Sequence, residues 1–254
     1  MIARQLYARV RLEGWEIQLE QSHVQLYRHR SHKLHCTLYL TPSPISLLRE
    51  LIGKRPGPQE QLACEALRAA GLNAPKPLAW GMLEDGVDYL LSETLPGHRL
   101  DYWLCGSLTD HDPASLGLRR QLLLAAGTFI GRLHAAGFSH GRLFARNILA
   151  YYSGGNFKLS LLNNTDVRQH QYVPGMCLLS DLGQLNSLPA SALNNNDRFR
   201  FYRAWHQQQN DLNNLEAKIL LEQIKRRTTV RQHALYRRNY YESAWPARYS
   251  PDKD

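Results

Sequence analysis

The stretch LHAAGFSHGRLFARNILA, residues 133–150, decides how this chain is read. Its first residues close a helical pattern over 118–136. Apolar side chains recur at 122, 123, 126, 129, 130 and 133, one face of a 3.6-residue period, and Gly137 follows as a stop signal. Its last residues open a strand over 148–151. His140, Arg142, Leu143 and Asn147 lie in the short loop between. An arginine keeps its proton at any working pH and offers no acceptor, so Arg142 cannot take a proton from a hydroxyl.

Working outward, the first fifty residues read as strands: 10–19, 24–28 and 36–40, the last (CTLYL) alternating and rich in β-favouring types. TPSP at 41–44 stops that strand, because proline removes ladder donors. A short helix is expected over 45–52 and a turn at GKRPGP, 53–58. Residues 59–70 form a helix ended by Gly71. Strands follow at 78–82 and 87–93, joined by an EDG turn. Beyond the 133–150 stretch, a second strand is expected at 157–162 after a Gly-Gly turn. Helices are expected at 177–188, 197–208 and 210–226, with the last twenty or so residues loose.

Composition bounds the class. The chain has 254 residues, 43% of them hydrophobic, enough for a sizeable core. No apolar run approaches the roughly 18 residues of a membrane helix. The charged N-terminus lacks a secretory apolar stretch, so the expected location is cytoplasmic. Cys36, Cys64, Cys105 and Cys177 are far apart and form no C-x-x-C pair, which reads as reduced, mostly buried thiols. No H-E-x-x-H occurs, and His29, His32 and His35 are read as surface residues, so no metal site is expected. The net charge of +9 favours anionic partners.

The order of a long helix ending in LHAAG, a loop and a strand pair is similar to a kinase C-lobe. The kinase pattern H-x-D-L-x-x-x-N is matched at His140, Leu143 and Asn147, with Arg142 at the aspartate. Four pieces resemble one bacterial family, the lipopolysaccharide core sugar kinases (InaA/WaaP-like). EQLACEALRAAGLNAPKPLAWG (60–81) is similar to its αC helix and following strand, and YLLSETLPG (89–97) to its hinge. HAAGFSHGRLFARNIL is similar to its catalytic loop. LLSDLGQLNSL with NNDRFRFYRAW is similar to its D-L-x-R-L and T-D-R-x-R-F-x-R-A-Y runs. The pieces span 59–205. The resemblance implies an α+β, two-lobed protein-kinase-like fold. Residues 1–95 would form the N-lobe, a sheet with an αC-like helix. Residues 96–254 would form a mainly helical C-lobe, with the catalytic-type loop at 138–150.

The resemblance also assigns positions. Thr41 falls at the third-strand lysine that contacts phosphates, with Lys33 and Lys54 as substitutes requiring another geometry. Glu60 falls at the αC glutamate, where it is either solvated or paired with a cation such as Arg142. Arg142 stands at the base. Asn163 stands at the metal aspartate, with Asp166 three residues on as a substitute ligand or a turn cap. Asn147 is retained. Asp181 is expected to brace the loop through backbone N–H groups, and His140 to pack inside it. Gly14 is the only glycine before Gly53, so no G-x-G-x-x-G phosphate cradle exists.

Lysine, base and metal aspartate are therefore all substituted, and the expected function is that of a pseudokinase. It would act by binding a core-biosynthesis enzyme or a phosphorylated glycolipid, without a cofactor, and with peripheral contact to the inner membrane. Lys225, Arg226, Arg227, Arg231, Arg237 and Arg238, interleaved with tyrosines, are the candidate anion or membrane contacts; a solvated helix face is the plainer account of them. The alternative is an active kinase of a core sugar with an atypical site, using ATP and Mg²⁺. Nucleic acid is suggested by charge alone, without a recognition motif.

Overall fold

The computed structural model describes residues 2–8, 12–21, 24–40, 55–83, 86–108, 112–189, 192–210 and 212–244. The α+β order expected from sequence is found. A five-stranded antiparallel sheet occupies the N-terminal region, in the order β1-β2-β3-β5-β4. Its strands are β1 (Trp15–Gln21), β2 (Val24–His29), β3 (Leu34–Tyr39), β4 (Pro77–Met82) and β5 (Asp88–Glu93). A short helix that the sequence reading did not anticipate, α1 (Ile2–Tyr7), packs Ala3 and Leu6 on one face with Tyr27, Cys36 and Leu38.

Several boundaries move. β1 begins at Trp15 rather than residue 10, because Gly14 turns the chain at φ +78° just before it. Helix α2 (Pro56–Ala69) begins three residues early and absorbs half of the expected GKRPGP turn. Pro56 suits a first helical turn, where its missing N–H is not needed. The N-terminus of α2 is pinned to the sheet by Asp88, which accepts from the Gly57 N–H at 3.4 Å and pairs with Arg55. The helix expected at 45–52, Thr41 and Lys54 lie outside the described residues.

The C-terminal region follows a two-residue strand, β6 (His98–Arg99). Helix α3 (Pro113–Ala135) starts five residues before its apolar periodicity does. Asp112 caps it, accepting from the Ala114 and Ser115 N–H groups at 2.9 and 3.0 Å. The loop then runs through β7 (Phe138–Ser139) into the hairpin of β8 (Ile148–Ser153) and β9 (Asn156–Leu161), and β10 (Arg168–Gln169) returns to pair with β7. Helices α4 (Gly175–Leu185), α5 (Asn195–His206) and α6 (Asn214–Ala244) complete the chain. α6 continues 18 residues past its expected end. α3 and α5 cross closely, since a Cβ on Gly127 would lie 2.3 Å from the Phe201 carbonyl oxygen. The main core lies here, around Leu122, Ile130, Leu133, Leu143, Ile148 and Trp205. No helix among the described residues is long and apolar enough to cross a membrane.

Candidate active site

The loop after α3 is held from beneath by one carboxylate. Asp181, on α4 and wholly buried, accepts from the His140 N–H at 2.7 Å and the Gly141 N–H at 2.9 Å. Its third partner is His134 Nε2, at 3.3 Å. The other nitrogen of His134 accepts from Trp205 Nε1 at 2.9 Å, so Nε2 carries the proton. His140 is equally engaged: Nδ1 accepts from the Arg142 N–H at 3.2 Å, and Nε2 donates to the Leu162 carbonyl at 3.1 Å. Burial pushes its pKa down, against the pull of Asp181, and both nitrogens are occupied. His140 is a neutral packing residue with no lone pair left for chemistry.

Arg142 projects from this loop with half its side chain exposed and pairs with the carboxylate of Asp166. Asp166 closes a single 3₁₀ turn, Asn164–Asp166, that begins after Asn163 in the left-handed conformation, φ +55° and ψ +57°. A short amide side chain tolerates that region better than most. Asn163 donates its Nδ2 to Asn147 Oδ1 at 2.7 Å, and Asn147 donates its own Nδ2 to the Arg142 carbonyl at 2.8 Å. Arg142, Asn147, Asn163 and Asp166 thus form one connected cluster.

Glu60 is neither solvated nor paired with Arg142. It is buried on α2, accepting from the Tyr39 hydroxyl with one oxygen and from the Asn164 N–H at 3.2 Å with the other. Arg142 is committed to Asp166 and reaches Glu60 only through its field. Burial pushes the Glu60 carboxyl above the ordinary carboxylate range, opposed by the Tyr39 and Asn164 hydrogen bonds and then by the charge of Arg142.

Tyr39 is the site residue that sequence reasoning missed. It stands at the end of β3. It makes the contact to Glu60 that the resemblance assigns to a lysine. Alternation placed the strand correctly, but it could not show that Tyr39 is buried against α2. Burial first, then the negative charge of Glu60, pushes the Tyr39 phenol far above its usual range. It therefore stays neutral and brings no positive charge to a phosphate. Lys33 does not rescue the position. It sits in the turn before β3 at φ +50°, six residues and roughly 20 Å of strand from Tyr39.

Mg²⁺ sites usually combine one or two carboxylates with phosphate oxygens. Here the Asp166 carboxylate is taken by a guanidinium and Asn147 Oδ1 by an amide. Among the described residues, no three His, Cys, Asp or Glu side chains converge. The described residues of this cluster do not fit a divalent metal. Gly14 turns the chain ahead of β1, against the His29 ring, and among the described residues the side chain that meets Glu60 from β3 is the neutral Tyr39.

The run NNDRFRFYRAW is structural. Asp197 and Arg119 form a buried ion pair at 2.9 Å, and Arg198 donates to the carbonyls of Asn186, Leu188 and Leu193. Of the basic candidates, Lys225, Arg226 and Arg227 are exposed on α6, while the side chains of Arg231, Arg237 and Arg238 lie outside the described residues. Among the histidines, His35 is half-buried rather than superficial.

The model of the lipopolysaccharide kinase (Kdo/WaaP) family matches residues 46–205. A solved structure of WaaP in complex with acyl carrier protein is similar at TM-score 0.64 and 20% identity, covering 90% of this chain and 92% of that one. WbdD, co-crystallised with the kinase inhibitor LY294002, is similar at TM-score 0.51 and 17% identity, over 85% of this chain and 45% of that one. At these identities the likeness is one of fold. No curated protein matches the chain significantly by sequence.

Proposed function

The chain belongs to the lipopolysaccharide kinase (Kdo/WaaP) family, and from that premise we propose that it is a pseudokinase of lipopolysaccharide core biosynthesis. In this reading residues 1–95 form the N-lobe, 96–254 the C-lobe, and the cleft between them binds rather than transfers. The observation that carries it is the ion pair of Arg142 with Asp166. A permanent cation stands where a proton acceptor is needed, and it ties up the nearest carboxylate that could hold a metal. Losing a general base alone typically costs about 10²–10⁴-fold in rate; losing metal and lysine as well compounds the deficit. Neither nucleotide nor metal is a cofactor here. The proposed partners are a core-biosynthesis enzyme or a phosphorylated core glycolipid. The acyl carrier protein bound to WaaP adds a carrier protein as a third class.

The competing reading, an active core-sugar kinase with an atypical site, requires Asp166 to leave Arg142 and bind metal. A thermal-shift measurement with ATP and Mg²⁺ or Mn²⁺ separates the two. Ligand at a hundred times its Kd stabilises a folded protein by about 2.7 kcal/mol. The pseudokinase reading expects no metal-dependent shift and no transfer from labelled ATP to core oligosaccharide. A shift accompanied by transfer would overturn it.

A further inference from the structure

Arg119, Arg198 and Arg142 differ in what their guanidinium groups leave over. Arg119 is buried and spends every nitrogen on the protein: Nε and Nη2 on Asp197, Nη1 on the Leu104 and Leu108 carbonyls. Arg198 gives Nε, Nη1 and Nη2 to three carbonyls. Arg142 meets Asp166 through Nε, and its terminal nitrogens have no hydrogen-bond partner among the described residues. Its main chain is fixed all the same. The N–H donates to His140 Nδ1 at 3.2 Å, and the carbonyl accepts from Asn147 Nδ2 and from the Phe144 N–H, both at 2.8 Å. A pinned loop thus presents the open edge of a planar, five-donor group to water.

A second cation is positioned on the same loop. Arg146 is exposed, lies over the Phe144 ring at 4.4 Å, and pairs with no carboxylate among the described residues. Asn163, exposed in the same cluster, spends one amide N–H on Asn147 and has another to give. From 138 to 170 the chain holds Arg142, Arg146, Lys158 and Arg168 against Asp166 alone. The buried carboxylates of the site, Glu60 and Asp181, already accept from protein donors. The surplus here is of donors and positive charge.

We infer that Arg142 and Arg146 form a receptor for a phosphate monoester. The open edge of Arg142 takes two phosphate oxygens side by side, and Arg146 takes a third. A carboxylate has two oxygens and is filled by one guanidinium. A phosphate offers three terminal oxygens and close to two charges, which suits a pair of them. Asp166 is then a positioning residue: it holds Nε and turns the other edge of Arg142 outward. The inference rests on the reading of the cleft as a binding site and deepens it by naming the ligand chemistry. That chemistry is shared by a phosphorylated sugar and by the free phosphate ion.

Calorimetric titration of the full chain tests it, with glucose 6-phosphate, inorganic phosphate, glucuronate and glucose as probes. Both phosphates are expected to bind, glucuronate about tenfold more weakly or worse, and glucose not at all. The tighter of the two phosphates names the source, sugar-borne or free, and either supports the site. Arg142→Gln should weaken glucose 6-phosphate about tenfold or more. Arg142→Lys should lose nearly as much, since the planar fork and not the charge alone grips the ligand. Arg146→Gln should weaken it about threefold or more. Arg203→Gln, exposed on α5, should change nothing. The unaltered chain gives an independent reading: glucose 6-phosphate, and not glucose, should slow phenylglyoxal modification of Arg142, read by peptide mass. The inference is overturned if neither phosphate binds, if glucuronate or glucose binds as well, if Arg142→Gln or Arg142→Lys binds undiminished, or if Arg142 is unprotected. Transfer from labelled ATP would overturn the underlying reading and the inference with it. Binding that ignores Arg142, with no transfer, would overturn the inference alone.

Discussion

The partner that the α2 glutamate meets from the sheet is a neutral phenol. Glu60 meets Tyr39 in a hydrogen bond inside a low-dielectric pocket, so sheet and helix are joined there by a donor that carries no charge. Restoring one charge elsewhere is therefore not enough. In Arg142→Asp, labelled-phosphate transfer is expected to stay at background, because Tyr39 and Asn163 remain. Tm should move by no more than about 1 kcal/mol's worth, the ordinary scale of a half-exposed ion pair. His35 offers a pH signature. Burial, then the charge of Arg28, lowers its pKa from 6.5 to about 4. The folded state thus resists a proton that the unfolded chain accepts. The resulting stability is fully present above pH 6.5 and is lost as pH falls toward 4. His35→Gln should flatten the fall in Tm across that window, by an amount equivalent to about 1–3 kcal/mol. At this scale the sequence was legible where identity alone decides chemistry, as at Arg142, whose side chain offers no acceptor. It was not legible where burial decides, as at Glu60, His35 and Tyr39, because burial is a property of the packed molecule.

The pairing of α3 with α5 rests on close backbone approach. A Cβ at position 127 would strike the Phe201 carbonyl oxygen and come within 2.8 Å of the Ala204 Cβ. Gly127→Ala should therefore lose stability despite its better helix propensity, by about 1–3 kcal/mol of overpacking. Denaturant melts read the loss directly. Element identity and order were legible because apolar period differs between helix and strand, as along 122–133 and at CTLYL. Ends were less legible. Asp112 and Pro113 form a regular cap-and-proline start, but the apolar face begins only at Leu118, and periodicity drew the start there. α1 was missed because six residues are too few to display a period.

Thiol reactivity reports on the molecule as one body. Cys36 and Cys64 are buried in different cores, and burial pushes both thiols up to about 12. Cys105 is exposed and Cys177 half-buried. Brief alkylation at neutral pH should modify Cys105 first and spare Cys36 and Cys64, whereas denatured chain should take up four equivalents, read by intact mass. Native labelling of Cys64 would mean that α2 lifts from the 164–166 turn. The likeness to WaaP in fold covers 90% of the chain, and the family model spans all four quoted pieces, over residues 46–205. The brace at Asp181 carries a further consequence. Its three partners hold the loop to α4 and α3, and removing a buried carboxylate from such a set commonly costs several kcal/mol. The path of the loop backbone is thus fixed by the same contacts that keep the molecule folded, so an aspartate at this place says nothing either way about chemistry above it.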